Sequence, residues 1–147
     1  MNKKIKILFL CEENSCRSQI AEGIVNNLYS HCCQAKSAGS RITEIDPKAI
    51  LIMKEINIDI SQQRSKLVDE FFNQEFDYVI TLCGQDAKNN CPYFVGKVKE
   101  RLFWDIPNPK LAKGEEKEIL NFYREIRELL KEKIDELCKK LKEENNE

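Results

Sequence analysis

The chain has 147 residues, with 24 Lys and Arg against 25 Asp and Glu and a net charge of -1. We expect residues 1–147 to form one domain, and the balanced charge excludes the strongly basic surface that is typical of nucleic-acid-binding proteins. We also expect no secretion signal and no membrane contact, because the apolar run near the start contains Lys6 and ends at Glu12 and Glu13.

Hydrophobic patterning in the first half of the chain predicts alternating strands and helices. An apolar run from Lys4 to Leu10 predicts a buried strand, and apolar positions three and four apart predict a helix from Cys16 to Leu28. A weaker strand is predicted from Gln34 to Ala38. Asp46 followed by Pro47 is typical of the start of a second helix.

The second half continues the alternation. Strands are predicted from Phe76 to Leu82 and from Val98 to Trp104, followed by a long helix from Glu115 to Leu141. This order predicts an α/β domain with a parallel sheet covered by helices on both faces. The apolar stripe of the long helix persists for about three heptads, so a coiled-coil arm is an alternative for that segment.

Seven cysteines and a single histidine, His31, restrict the chemistry of the chain. We expect the protein in the reducing cytoplasm, where structural disulfides are rare. A zinc site is disfavoured because no Cys-x-x-Cys pair is present. Thiol chemistry that needs no histidine is therefore the main functional hypothesis.

The segment from Cys11 to Ser18 lies where the first strand passes into the first helix. Its backbone N–H groups and the helix N-terminus can surround a tetrahedral oxyanion, and Arg17 adds a two-pronged donor. The expected oxyanion-binding residues are Glu12, Glu13, Asn14, Ser15, Cys16 and Arg17. The same donors and the Ser18 hydroxyl stabilise a Cys11 thiolate, so a nucleophile and an anion site would coincide. Alternatively, Cys11 is a core thiol and Arg17 a surface residue.

The loop sequence Cys-Glu-Glu-Asn-Ser-Cys-Arg-Ser resembles the active-site loop of the low-molecular-weight protein tyrosine phosphatase superfamily. Its continuation resembles the thioredoxin-coupled arsenate reductase branch. The resemblance extends through Ser37-Ala38-Gly39, residues 54–61, Thr81-Leu82-Cys83 and Cys91-Pro92, and so covers nearly the whole chain. It implies a four-stranded parallel sheet in the order 2-1-3-4, with helices on both faces.

The resemblance also implies a reaction. Cys11 would attack arsenate or a phosphate-like oxyanion held by Arg17 and the loop, and Cys83 and then Cys91 would carry a disulfide outward for reduction by thioredoxin, with no cofactor. If residues 84–90 are helical in the reduced state, that segment must unwind for Cys83 to reach Cys91. Two alternatives are a phosphatase that uses a phosphocysteine intermediate, and a non-catalytic thiol sensor or oxyanion-binding module.

Supporting residues are implied in the same way. Asn14 would brace the loop with Ser37 nearby, and Glu22 would lie one helical turn behind it. Some family members hold a monovalent cation in this neighbourhood. The Lys66 ammonium would replace that ion here, so we expect no metal requirement, although Lys66 could equally be a solvated surface residue.

Other loop residues and cysteines receive simpler interpretations. Glu12 and Glu13 are expected to point outward, because a carboxylate facing the oxyanion would repel it. Four cysteines are interpreted as structural: Cys16, Cys32, Cys33 and Cys138. Of these, Cys16 could also form a disulfide with Cys11 as a protective side reaction.

The general acid is the point at which the sequence departs from the family pattern. Family members carry Asp before Pro on the loop after the fourth strand, whereas this chain has Asn108 before Pro109. An amide cannot deliver a proton, so we expect Asp105 to act instead. The alternative is that Asp105 only caps or solvates the loop.

Overall fold

The computed structural model describes residues 4–83 and 91–145. The strands are β1 (Ile5–Leu10), β2 (Cys33–Ala38), β3 (Phe76–Thr81) and β4 (Val98–Phe103). The helices are α1 (Arg17–Leu28), α2 (Pro47–Lys54) and α3 (Glu116–Asn145), with short 3-10 turns at Val68–Phe71 and Pro109–Leu111. Every predicted strand and helix is present, and most boundaries agree with the prediction to within one residue, whereas the long helix ends four residues later than predicted.

The four strands of the described chain form one parallel sheet in the order β2-β1-β3-β4. This confirms the order that the resemblance implies. Leu10, the last residue of β1, pairs with Ala38 of β2 and with Thr81 of β3. The segments that follow β1, β2 and β3 therefore meet at the carboxyl-terminal ends of the strands. We refer to this side as the active-site edge of the sheet, and ligand sites of open parallel sheets lie there.

Alternate residues of β1 supply the two halves of the core. Ile7 and Phe9 face a cluster that includes buried residues of all three α-helices. Leu8 and Leu10 face a second cluster, which includes Val68 and Phe71 of the first 3-10 turn as well as Phe94. The central strand β1 is thus buried on both faces, and its nearly continuous apolar sequence fits that environment, whereas the edge strand β4 is largely exposed.

The long helix α3 packs against the sheet instead of projecting as an arm. Its buried residues include Tyr123, Ile126, Leu130, Ile134 and Leu137, all in the same core cluster as α1 and α2. The coiled-coil interpretation is therefore wrong, because the stripe that suggested it is covered within the domain. No helix in the described part of the chain is long and apolar enough to span a membrane.

Candidate active site

The loop between Leu10 and Arg17 passes directly over Gly39, the residue that follows β2. A Cβ atom at Gly39 would lie 2.7 Å from the carbonyl oxygens of both Cys11 and Glu12. The Gly39 N–H also donates to the carbonyl of Lys66 at 2.8 Å. Glycine is required here because any side chain would push the loop away from the sheet edge.

Asn14 is the central brace of the loop. It adopts a left-handed backbone conformation with φ of 53° and is fully buried. Its side-chain Oδ1 accepts hydrogen bonds from the Lys66 backbone N–H at 2.7 Å and from Gln19 Nε2 at 3.0 Å. A backbone N–H can only donate, so the amide orientation is fixed and Nδ2 faces Ser18 as a donor.

A directed chain of hydrogen bonds leads from Asn14 to the candidate nucleophile. Asn14 Nδ2 donates to Ser18 Oγ at 2.7 Å, and Ser18 Oγ lies 2.8 Å from Cys11 Sγ. Either atom can be the donor in the Ser18–Cys11 hydrogen bond. A thiolate sulfur can only accept, so the Ser18 hydroxyl is positioned to donate to Cys11 when that residue acts as a thiolate.

Arg17 is held in place from two other segments. Its Nη1 atom donates to the carbonyls of Leu82 at 3.3 Å and of Ile106 at 2.9 Å. The residue is 5% exposed, so the alternative of a surface arginine is wrong. The chain segments that follow β3 and β4 thereby orient the guanidinium toward the loop.

Cys11 and Arg17 line a small cavity of about 40 Å³. Its other lining residues are Glu12, Glu13, Ser15, Cys16, Asn108, Pro109 and Lys110. Within residues 4–83 and 91–145, no backbone carbonyl accepts from the N–H groups of residues 12–16. The described first turn of α1 carries no acidic residue that would offset the positive N-terminus of the helix. The arrangement suits one small oxyanion beside a thiolate.

Glu12 and Glu13 are paired with basic side chains at the rim. Arg41 binds Glu12 at 2.7 Å and Glu13 at 3.2 Å, and Lys110 also binds Glu13. The hydrogen bond from Lys110 is the main reason that the pKa of Glu13 is lowered. Both residues line the cavity, and both carboxylates are paired with basic side chains, so their negative charge near the anion site is offset. That the carboxylates point away from the oxyanion stays a prediction.

A buried ion pair lies behind the loop. Glu22 Oε1 accepts from Ser37 Oγ at 2.6 Å and from Lys66 Nζ at 3.3 Å. Lys66 is 6% exposed, so the alternative of a solvated lysine is wrong. Burial lowers the pKa of Lys66, although the Glu22 carboxylate opposes that shift. The ammonium therefore occupies the neighbourhood for which the resemblance implies a monovalent cation.

Cys83 and Cys91 form a disulfide with a Cα–Cα distance of 6.2 Å. Cys83 is the second residue after β3 and Cys11 the first after β1, and the ends of these neighbouring strands pair, so both cysteines lie at the same sheet edge. Residues 84–90, on which the expected unwinding falls, lie outside the described residues. Cys16 is a free thiol whose pKa is raised mainly by burial, so it is a poor competitor as a nucleophile.

The segment after β4 contains both candidates for the position of the general acid, Asp105 and Asn108. Three residues of this segment line the cavity: Asn108, Pro109 and Lys110. Asp105 directly precedes Ile106, is exposed and is not among the lining residues. The role of Asp105 remains a prediction. Sequence reasoning missed Lys110 and Arg41, because neither lies in a recognisable motif near the loop.

Comparisons with known proteins agree with this geometry. The chain matches the family described as low molecular weight phosphotyrosine protein phosphatase over residues 6–147. The arsenate reductase of Bacillus subtilis (strain 168) is 40% identical over 143 residues, which are 97% of this chain and 96% of that protein. Two solved structures are also similar.

The first solved structure is described as an arsenate reductase in the phosphate binding state. It has a TM-score of 0.77 and 32% identity, and the match covers 92% of this chain and 98% of that one. The second is a thioredoxin-dependent arsenate reductase from Corynebacterium glutamicum. It has a TM-score of 0.64 and 27% identity, covering 92% of this chain and 62% of that one.

Proposed function

The chain belongs to the low molecular weight phosphotyrosine protein phosphatase family, and we propose that it is an arsenate reductase that uses Cys11, Cys83 and Cys91. Arsenate is a tetrahedral oxyanion of the kind that the loop amides and Arg17 can bind. The observation that carries the proposal is the Cys83–Cys91 disulfide at the sheet edge where Cys11 lies. A phosphatase has no use for a second and third thiol.

The first step forms a bond between sulfur and arsenic. The Cys11 thiolate attacks arsenic(V), and one arsenate oxygen leaves as water after it gains protons. Arg17 and the N–H groups of residues 12–16 stabilise the negative charge on the remaining oxygens. Ser18 holds the thiolate before the attack through its hydroxyl at 2.8 Å.

The second step moves electrons. The Cys83 thiolate attacks Cys11 Sγ, so a disulfide forms, the As–S bond breaks and its electron pair stays on arsenic. Two thiols have then lost two electrons in total, and arsenic(V) has become arsenic(III). The Cys91 thiolate next attacks Cys83, which releases the Cys11 thiolate and leaves the Cys83–Cys91 disulfide.

The cycle closes when an external dithiol returns two electrons to Cys83 and Cys91. We propose thioredoxin as that reductant in the cytoplasm, which a thioredoxin-dependent relative supports. Cys91 is half-buried whereas Cys11 and Cys83 are 3% and 1% exposed. Passing the disulfide to Cys91 therefore moves it toward a surface that a partner protein can reach.

The test is arsenite production from arsenate with thioredoxin, thioredoxin reductase and NADPH, beside hydrolysis of an aryl phosphate. We expect steady arsenite formation that stops when thioredoxin is left out. Replacement of thioredoxin by glutaredoxin and glutathione identifies the donor. Hydrolysis without arsenite formation would overturn the proposal.

A phosphatase acting on phosphoesters is the second candidate, since the loop that binds arsenate also binds phosphate and the family description names that activity. Asn108 in the cavity wall argues against efficient hydrolysis, because an amide cannot protonate a leaving alkoxide. We therefore propose that any phosphatase activity is a slow side reaction. In that reaction Asp105 is the candidate acid.

A further inference from the structure

Three cysteines that the proposed reaction does not use lie together at the opposite edge of the sheet. Cys32 precedes β2, Cys33 begins it and pairs with Ile5 at the start of β1, and Cys138 belongs to α3. The sulfur atoms of Cys32 and Cys33 are 3.7 Å apart. Cys138 lines the same cavity and lies near enough to influence the pKa of both thiols. We call these three residues the thiol cluster.

The backbone around the thiol cluster is fixed by Tyr29. Its carbonyl accepts from the N–H groups of Cys32 at 3.1 Å and of Cys33 at 2.8 Å. Its hydroxyl donates to Asp135 Oδ1 at 2.5 Å, one helical turn before Cys138. One side chain therefore joins the turn that carries two of the thiols to the helix that carries the third.

The thiol cluster lines a cavity of about 480 Å³. Cys33 and Cys138 are buried, whereas Cys32 is half-buried. A small solute can thus meet Cys32 first and the other two thiols next. Tyr29, His31, Asp135, Lys139 and Lys142 line the same cavity and give it a mixed polar rim.

The thiols of the cluster are poorly suited to a divalent metal ion. Contact with Cys138, followed by burial, raises the pKa of Cys33, and burial raises the pKa of Cys32. Metal ions bind thiolates. Cys32 and Cys33 would each have to lose a thiol proton before they could bind a metal ion, and a raised pKa makes that loss less favourable. Within residues 4–83 and 91–145, no group of three Cys, His, Asp or Glu side chains has the arrangement of a metal-ion site, so the three sulfur atoms must turn toward one another before they can share one bound atom.

Arsenous acid, As(OH)₃, places a different demand on the same thiols. It is neutral, and each thiol proton leaves with an arsenic-bound hydroxyl as water, so no buried charge is created. Sulfur is also the ligand that soft centres prefer. The closely spaced and partly accessible thiols of the cluster therefore suit a neutral solute whose own hydroxyl groups carry away the thiol protons.

We propose that Cys32, Cys33 and Cys138 bind trivalent arsenic as a second site, separate from the active site. Three As–S bonds form, three As–OH bonds break and three waters leave, with arsenic remaining in the trivalent state. The choice of ligand rests on the proposed function, because that reaction releases arsenic(III). The site would retain product at the far edge of the sheet, away from Cys11.

The test uses the full-length reduced protein in which the relay thiols are removed as Cys11→Ser, Cys83→Ser and Cys91→Ser. Arsenite is added directly, and bound arsenic is measured by mass spectrometry and by X-ray absorption. We expect one arsenic atom per chain with three sulfur neighbours. Adding Cys138→Ser should weaken binding at least about tenfold, because the third As–S bond then cannot form within the chain.

Matched variants keep the result interpretable. Cys16→Ser in the same background should leave arsenic binding unchanged, since Cys16 lies at the active-site edge. If Cys138→Ser does not fold by circular dichroism, Cys32→Ser at the half-buried position serves in its place. Absence of bound arsenic, or binding that neither cluster variant weakens, would overturn the site. Because arsenite is supplied, this outcome is independent of whether the protein reduces arsenate.

Discussion

The hydroxyl oxygen of Ser18 lies 2.8 Å from the sulfur of Cys11 and accepts a hydrogen bond from Asn14 at 2.7 Å. The three residues are buried and belong to one loop and the first turn of α1. The nucleophile is thus prepared by a neutral hydrogen-bond chain. No histidine is involved.

Replacement of Ser18 by alanine should slow the first chemical step. A hydrogen bond to a charged group is worth about 1.5–3 kcal/mol, so we expect arsenite release in a single turnover to fall about ten- to hundredfold. Rapid-quench measurement of arsenite from enzyme in excess checks this. Ser61→Ala, an exposed serine, is the control. An unchanged rate in Ser18→Ala would show that the hydroxyl only packs.

Replacement of Cys91 by serine should separate the two halves of the relay. The first transfer involves only Cys11 and Cys83, so we expect one arsenite per chain followed by a stall with a Cys11–Cys83 disulfide. Peptide mapping after arsenate exposure identifies the linkage. Cys83→Ser should stall earlier, before arsenite is released. Normal turnover of Cys91→Ser with thioredoxin would contradict the three-thiol mechanism.

The general acid can be located by a pair of exchanges. Asn108 lines the cavity, so Asn108→Asp should place a proton donor beside the leaving oxygen and raise aryl phosphate hydrolysis. Asp105→Asn should lower hydrolysis at least tenfold, or about 1.4 kcal/mol, since general acids contribute about 10² to 10⁴ in rate. Steady-state hydrolysis of an aryl phosphate measures both. A gain in Asn108→Asp with no loss in Asp105→Asn would show that the natural chain has no acid here.

Removal of the Lys66 ammonium should expose a requirement for a cation. Lys66→Ala leaves Glu22 buried without its ion-pair partner, and breaking such a pair typically destabilises a protein by about 3–5 kcal/mol. We expect potassium chloride to restore part of the loss in Tm relative to choline chloride at equal ionic strength. The wild-type protein should melt identically in both salts.

The control for this prediction removes the carboxylate charge as well. Lys66→Ala combined with Glu22→Gln should show no response to potassium, because no buried charge is left to compensate. A potassium-specific rise in the Tm of the wild-type protein would show that Lys66 does not replace an ion.

The pH dependence of stability should include a contribution from Glu55. Arg124 and then Arg127 hold the pKa of Glu55 at about 2, below its ordinary value of 4.5. A carboxylate whose pKa is lower in the folded state stabilises the fold above the ordinary value, and that contribution disappears as the pH falls toward 2. Glu55 is 34% exposed, so the effect at pH 7 should be about 1 kcal/mol or less.

The measurement compares the unfolding free energy of Glu55→Gln and the wild-type protein from pH 7 to pH 2. We expect the difference to shrink below pH 4.5 and to vanish near pH 2. Glu132→Gln, an exposed change on α3, the helix that carries Arg124 and Arg127, is the matched control. A difference that stays constant over this range would exclude the two arginines as its source.

The strands and helices could be predicted because each is encoded by a local repeat of apolar residues. The placement of Cys11 and Arg17 at one cavity could be predicted from a short loop at a strand-to-helix junction, whereas their roles stay predictions. Contacts between distant segments were beyond such reasoning, as with Lys110 and Glu13, which are 97 residues apart. The same holds for the thiol cluster, since nothing in the sequence indicates that α3 brings Cys138 to Cys32 and Cys33.

Gly39 lies close to the carbonyls of Cys11 and Glu12. This contact means that the shape of the anion-binding loop and the charge at its rim are determined by different residues. The path of the backbone is imposed from outside the loop, by a glycine after β2 and by the N–H group of Lys66 that holds Asn14. The side chains of Glu12 and Glu13 contribute charge at the rim of the cavity and do not determine the course of the loop backbone. Selection can therefore alter the anion preference of this enzyme at two positions while the scaffold of the loop is inherited unchanged.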